Sequence, residues 1–370
     1  MSARTARPFA RMRVAMLSYR LPVHGETRGG IERAAHTLAH GLAERGHAVT
    51  VFSHDARPAD AAYDVRPLPW RAFVETWIGR RVTMGYLGNV LALVPRYRDF
   101  DVVVAHGDSL LLGLSGTPVL RVMHGSALGE ARSASSWGRR LLQYGVYVQE
   151  LATAVLQRGV VAVSENTRLD NPYVSRVIPH GVDCRVFKPA ALSKTAHPSL
   201  LFVGTLDGRK RGRFLIDAFS RVIRPAHPTA TLTVVGQEGP PYPGVVYRTG
   251  VSDEELVALY QQAWVYASPS TYEGFGLPYL EAMACGTVVV ATRNPGSLEV
   301  LGDGDYGLLP SDDEFGAVVS RVLQDESRRI WLAGRGLRRA AEFSLDAMLE
   351  RYEDVLLDLS ASHASPVPSR

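Results

Sequence analysis

Two glutamates eight residues apart define the chemistry this sequence can carry. Glu273 and Glu281 belong to the stretch Ser268-Pro-Ser-Thr-Tyr-Glu-Gly-Phe-Gly-Leu-Pro-Tyr-Leu-Glu-Ala-Met-Ala-Cys-Gly286. It reads as a strand ending at Ser268, a loop with Gly274 and Gly276, and a helix opened by Pro278, where a missing N–H costs nothing. The carboxylates then flank a helix N-terminus, whose free N–H groups hold phosphate or another anion. The glycines let the backbone approach a ligand closely. Carboxylates accept hydrogen bonds from hydroxyls. Sugar hydroxyls, ribose hydroxyls and a diphosphate in one crevice describe a nucleotide-sugar. Taken singly, Glu273 could be a helix cap and Glu281 a solvated surface residue. Inside this glycine-rich strand, loop and helix the ligand reading is the stronger.

A second constellation is Phe202-Val-Gly-Thr-Leu-Asp-Gly-Arg-Lys-Arg-Gly212, with Gly204 at a strand end and three consecutive cations before a helix. Arginine and lysine there could pair with charge developing on a leaving diphosphate; the plainer alternative is a solvated basic loop. In Thr27-Arg-Gly-Gly-Ile-Glu-Arg33, Gly29 and Gly30 at a helix start form a potential phosphate nest. It is not a dinucleotide fingerprint, which needs G-x-G-x-x-G directly after the strand. His124-Gly125 ends another strand, and a lone histidine there is more often structural. Glu299 is a weaker candidate for the donor base or ribose, with surface charge equally acceptable. No Asp-x-Asp is placed for a metal and no Cys/His spacing suits zinc, so cations and helix dipoles would carry that load.

The elements that must position these residues are short apolar runs alternating with helix-length segments. In the first half the runs are Val14–Ser18, Val49–Ser53, Asp101–Ala105, Pro118–Met123, Val160–Ser164 and Arg176–Pro179. In the second half they are Leu200–Gly204, Thr231–Gly236, Val245–Thr249, Trp264–Ser268, Gly286–Ala291 and Gly307–Pro310. Such alternation predicts an α/β protein with two doubly wound parallel sheets. The expected division is a first domain over 1–185, a linker over 186–198 and a second domain over 199–344. A last helix over 345–360 has one apolar stripe that packs back on the first domain. Ligands bind at the carboxyl ends of the strands, so the chemistry belongs in the cleft between the domains.

The E-x7-E arrangement with its Glu-Gly-Phe-Gly-Leu-Pro core resembles the family-4 glycosyltransferases, from about Val14 to Leu359. The resemblance implies a GT-B fold, two Rossmann-like domains facing a cleft, the first on the acceptor side and the second holding the nucleotide-sugar donor, and transfer with retained anomeric configuration. It implies that Glu273 contacts donor-sugar hydroxyls and Glu281 the ribose, with the backbone of Phe275, Gly276 and Leu277 facing sugar and diphosphate. Arg209 and Lys210 would hold the diphosphate, Gly204 would lie beside it, and the Gly29–Gly30 loop would close over it. Thr205 stands where the family often has arginine, which leaves Arg211 as an alternative second cation. His124 would orient the donor sugar near the reaction centre. His180 replaces the usual asparagine before Gly181. The implied reaction moves a sugar from a nucleotide-diphosphate donor to a hydroxyl of a polysaccharide, lipid or natural product, without metal or cofactor. A nucleotide-sugar epimerase of the same fold and a non-catalytic nucleotide-sugar binding protein are the alternatives.

Composition narrows the partners. With 46% hydrophobic and 21% charged residues in a chain of 370, this is ordinary globular material with no membrane-spanning run. No signal peptide is read, and two cysteines in different halves argue against a disulfide framework and fit a reducing cytoplasm. Residues 1–190 hold 24 Lys and Arg against 15 Asp and Glu, a net of +9, within +4 for the whole chain. Basic, aromatic segments lie at Trp70–Arg98 and Trp137–Arg158. The second reads as a helix with Trp137, Leu141, Tyr144, Val148 and Leu151 on one side, packed into its domain, with peripheral membrane contact as the rival reading. Scattered basic residues without a binding module exclude nucleic acid.

Overall fold

The computed structural model describes residues 11–22, 30–69, 93, 95–107, 109–134, 136–157, 159–190 and 194–364. Two parallel sheets are present, as the alternation requires. The first comprises β1 Arg13–Leu17, β2 Ala48–Ser53, β3 Asp64–Pro67, β4 Val102–Ala105, β5 Val119–Met123, β6 Gly159–Ala162 and β7 Arg176–Val177, in the order β3-β2-β1-β4-β5-β6-β7. The second comprises β8 Ser199–Val203, β9 Thr231–Val235, β10 Val245–Arg248, β11 Val265–Ser268 and β12 Val288–Ala291, in the order β10-β9-β8-β11-β12. Strands β4 and β12, both Val-Val-Val-Ala, are buried along their whole length, as strands covered on both faces must be.

Chain order reverses at β1, between β2 and β4, and again at β8, between β9 and β11. These are the switch points where open α/β sheets bind ligands. His106 follows β4, His124 follows β5, Gly204 follows β8, and Glu273 lies five residues beyond β11.

Two expectations need correction. Strand β3 was not anticipated: Asp-Val-Arg-Pro at the sheet edge has no apolar run to announce it. Gly307–Pro310 makes only one bridge, Leu308 to Val290, in place of a strand. Glycine is entropically poor in a strand and proline cannot donate to the ladder.

The helix Leu345–Ala364 lies against the first sheet's side of the molecule. Leu349 abuts Gly41 of the helix Gly30–Glu44. Glu353 accepts from Arg45 Nη1 at 2.9 Å and meets His47 Nε2 at 3.2 Å. Both cysteines are free. Among the described residues no helix is long and apolar enough to cross a membrane.

Candidate functional site

The loop after β8 and the loop after β11 are tied together by one carboxylate. Glu273 is buried, with Lys210 Nζ 2.6 Å from Oε1 and Arg209 Nη1 2.7 Å from Oε2. The same Arg209 atom donates to the Tyr272 carbonyl at 2.7 Å, and the Arg209 carbonyl accepts from Thr271 N–H at 2.9 Å. Burial works to raise the Glu273 carboxyl, but Lys210 and then Arg209 outweigh it and hold it below its ordinary range. Arg211, the alternative second cation, turns away from this wall. It pairs with Asp312 through Nη1 at 3.1 Å and Nη2 at 2.7 Å, and lies over the Phe214 ring.

Gly276 caps the helix Leu277–Ala284 with φ of 101°, a conformation glycine adopts without penalty, and Pro278 sits in its first turn. Phe275 buries its side chain against His180 and Phe343, so its backbone is the part left for a ligand. One turn on, Glu281 is buried too. It accepts from the Tyr260 hydroxyl at 2.9 Å and pairs with Arg33 Nη1 at 3.3 Å. Arg33 comes from the helix Gly30–Glu44 of the first domain, and its Nη2 also reaches Asp253 at 3.3 Å. Neither Arg33 nor Tyr260 was read as a site residue. Arg33 closes the Gly-Gly-Ile-Glu-Arg motif itself, three residues after Gly30, which was its only local signal.

The opposite wall belongs to the first domain. His106, His124 and His180 form a stack, with ring centroids 5.0 and 5.2 Å apart; His106 and His180 are buried and His124 is half-buried. His106 Nδ1 meets His124 Nε2 at 2.8 Å, and His124 Nδ1 meets His180 Nε2 at 3.3 Å. Burial pushes His106 down to about 3, helped by His180, and pushes His180 to about 4. Burial, then His106 and His180, drive His124 well below its ordinary value, so all three are neutral near pH 7. His124 is therefore not alone, and His180 stacks on it.

The two walls touch. A β-carbon on Gly274 would overlap the His124 carbonyl oxygen, so only glycine permits this approach. The Tyr272 hydroxyl accepts from Ser126 N–H at 3.1 Å. Glu299 is engaged between the domains: both its oxygens accept from the Glu165 N–H, at 3.1 and 3.0 Å.

Between the walls lies a cavity of about 680 Å³ lined by Gly30, Gly204, Lys210, Glu273 and Glu281 on one side and His124 on the other. The structure thus gathers the side chains of His124, Arg209, Lys210, Glu273 and Glu281, and the Phe275–Leu277 backbone, around one space, with Arg211 and Glu299 outside it. Gly29 lies outside the described residues, as does most of Trp70–Arg98.

The helix Trp137–Leu156 contradicts the packed reading of its apolar stripe. Trp137, Leu141 and Val148 are 83%, 74% and 65% exposed, and Tyr144 and Val155 are exposed with them. The buried side is the other one, with Glu150, Thr153 and Ala154.

Residues 28–186 match the family model for glycosyltransferase family 4, and residues 197–325 the model for glycosyl transferases group 1. The chain is 30% identical to the MMP α-(1→4)-mannosyltransferase of Mycolicibacterium hassiacum, across 90% of this chain and 94% of that one. Its fold is similar to that of sucrose-phosphate synthase from Thermosynechococcus elongatus, with TM-score 0.79 and 23% identity over 95% of this chain and 100% of the other. It is also similar to Anabaena HepE, solved with UDP-glucose, with TM-score 0.71 and 17% identity over 94% and 100%.

Proposed function

The chain belongs to glycosyltransferase family 4, and from that membership we propose that it moves a sugar from a nucleotide-diphosphate donor to an acceptor hydroxyl, with retention and without a metal. The observation that carries this reading is the convergence of Arg209, Lys210, Glu273 and Glu281 on the cavity that His124 faces from the other domain. The UDP-glucose bound to HepE supports a nucleotide-sugar donor, and the mannosyltransferase relative supports a hexose.

The diphosphate lies between Lys210, Arg209 and the N–H groups at the Phe275–Leu277 helix start. Its arrival draws the two cations from Glu273, freeing that carboxylate to accept from donor-sugar hydroxyls. Glu281 receives the ribose hydroxyls in place of Arg33. Neutral His124 orients the sugar. The bond from the anomeric carbon to the diphosphate oxygen breaks with both electrons leaving on that oxygen, and the sugar becomes oxocarbenium-like. The acceptor hydroxyl attacks the same face and its proton passes to the leaving phosphate, so configuration is retained. Arg209 and Lys210 stabilise the charge that grows there.

The helix Trp137–Leu156 adds a partner. Its exposed Trp137, Leu141, Tyr144, Val148 and Val155 form an apolar stripe on the half of the chain that carries a net +9. An anionic membrane surface complements both features.

The donor reading is tested by thermal unfolding with UDP, GDP, ADP and TDP. One diphosphate at ~100 times its Kd is expected to add about 2.7 kcal/mol of stability. No shift with any of them overturns the donor site. Where one of them binds, an epimerase is separated from a transferase by its turnover of donor alone, without nucleotide release.

A further inference from the structure

Arg121 occupies the middle of β5, where a charge is least welcome. Its side chain is 5% exposed, and its nearest carboxylate is Glu150, 3.8 Å from Nη2 and beyond hydrogen-bond reach. Among the described residues its Nε and Nη1 have no partner. A guanidinium cannot shed its proton to ease burial, and buried donors are almost always satisfied. Glu150 is itself held, with Oε2 accepting from the Ala127 N–H at 3.1 Å.

Both residues line the cavity of the candidate site. With them stand Gln143 and Val146, which share one face of the helix Trp137–Leu156 with Glu150 by their spacing of three and four. Glu130 lines it as well, engaged by Arg139 at 3.0 Å. The cavity therefore continues past His124 into the first domain, between β5 and this helix. Arg121 precedes His124 by three residues, roughly 10 Å along an extended strand. None of these groups belongs to the wall that would hold the nucleotide.

We propose that this arm is the acceptor subsite and that Arg121, Glu150 and Gln143 select an uncharged, hydroxyl-rich ring, a sugar or a cyclitol. The proposal rests on the glycosyltransferase reading. Arg121 donates its free N–H groups to hydroxyl or ring oxygens, and Glu150 and Glu130 accept from hydroxyls. Gln143 can do either. Among the described residues of this arm, Arg121 is balanced by Glu150 and Glu130 by Arg139, so a phosphate or carboxylate on the ring meets carboxylates whose cations are already engaged.

The test uses the full chain with the sugar donor of whichever base stabilises it. The uncharged probes are methyl α-mannoside, methyl α-glucoside and myo-inositol; the charged ones are inositol phosphate, hexose 6-phosphate and glucuronate. Uncharged rings are expected to accept sugar at least tenfold better than charged ones. Gln143→Ala, a wall change with little folding risk, is expected to raise the acceptor KM at least tenfold. The charge-neutral pair Arg121→Met with Glu150→Gln is expected to abolish saturation by acceptor. In both variants the thermal shift given by the nucleoside diphosphate stays, which separates loss of acceptor binding from loss of fold. Preference for a charged ring, failure of every uncharged ring to accept, or an unchanged acceptor KM in Gln143→Ala overturns the proposal. If no nucleoside diphosphate binds and no donor is consumed, it is the glycosyltransferase reading that fails.

Discussion

Lys210 and Arg209 reach Glu273 from a single turn, so one carboxylate holds two cations where the diphosphate is proposed to lie. A cation facing charge that grows on a leaving phosphate acts more strongly in the transition state than in the ground state. Lys210→Ala is therefore expected to lower kcat by about 100-fold or more, with donor KM changed far less. Steady-state kinetics at saturating acceptor reads this, and a change confined to KM contradicts the role. In the proposed ribose role Glu281 acts equally in the two states, so Glu281→Ala is expected to raise donor KM and leave kcat near its starting value. The stacked histidines give a prediction of a different kind. Unfolded, each takes a proton near pH 6.5; folded, His180 waits until about 4 and His106 until about 3. The unfolded chain thus binds more protons in between. Stability is full above pH ~6.5 and falls toward pH ~4, by about 1.4 kcal/mol per unit for each histidine. Urea midpoints between pH 7.5 and 5 check the slope, which His180→Asn is expected to make shallower; a flat profile would mean the rings are not buried neutral. Glu273, Glu281, Lys210 and His124 are legible in the sequence because strand ends, glycines and charges fall within short windows. Tyr260, His106 and Arg121 are not, since each meets its partner only through the tertiary fold.

At the level of elements, periodicity announces that a segment exists but not what it faces. Trp137, Leu141, Tyr144 and Val148 mark a helix correctly, yet the same stripe fits a buried face or an exposed one. Only packing decides, and here Gln143, Val146 and Glu150 turn inward to the cavity. Replacing Trp137 and Leu141 together by glutamate is expected to abolish co-sedimentation with anionic vesicles. Both side chains are exposed, so the melting temperature should barely move. Binding that survives the double change contradicts a membrane role for this face. The loop after β11 is the other revealing element. Gly274 fits beneath His124 only because it lacks a β-carbon. Gly274→Ala is expected to force the walls apart, cutting turnover at least tenfold while the nucleoside diphosphate still binds the second domain. Equal loss of both would place the glycine's role inside the donor site.

The whole molecule is two parallel sheets meeting at their switch points, and this much follows from alternating valine-rich runs and helices. What the alternation does not contain is how closely the halves approach. Arg33 to Glu281, Tyr272 to Ser126 and Glu299 to Glu165 all cross between domains, and no local pattern encodes such pairs. In the proposed transfer, such contacts couple bringing an acceptor to the anomeric carbon with excluding water, as transfer in place of hydrolysis demands. The most direct measurement follows the anomeric proton by NMR while the protein, in excess EDTA, turns over the sugar donor of its preferred base with an acceptor. The account predicts that donor disappears, nucleoside diphosphate accumulates, and the product keeps the donor's anomeric configuration. An inverted product, a donor epimerised without nucleotide release, or a reaction silenced by EDTA would contradict it.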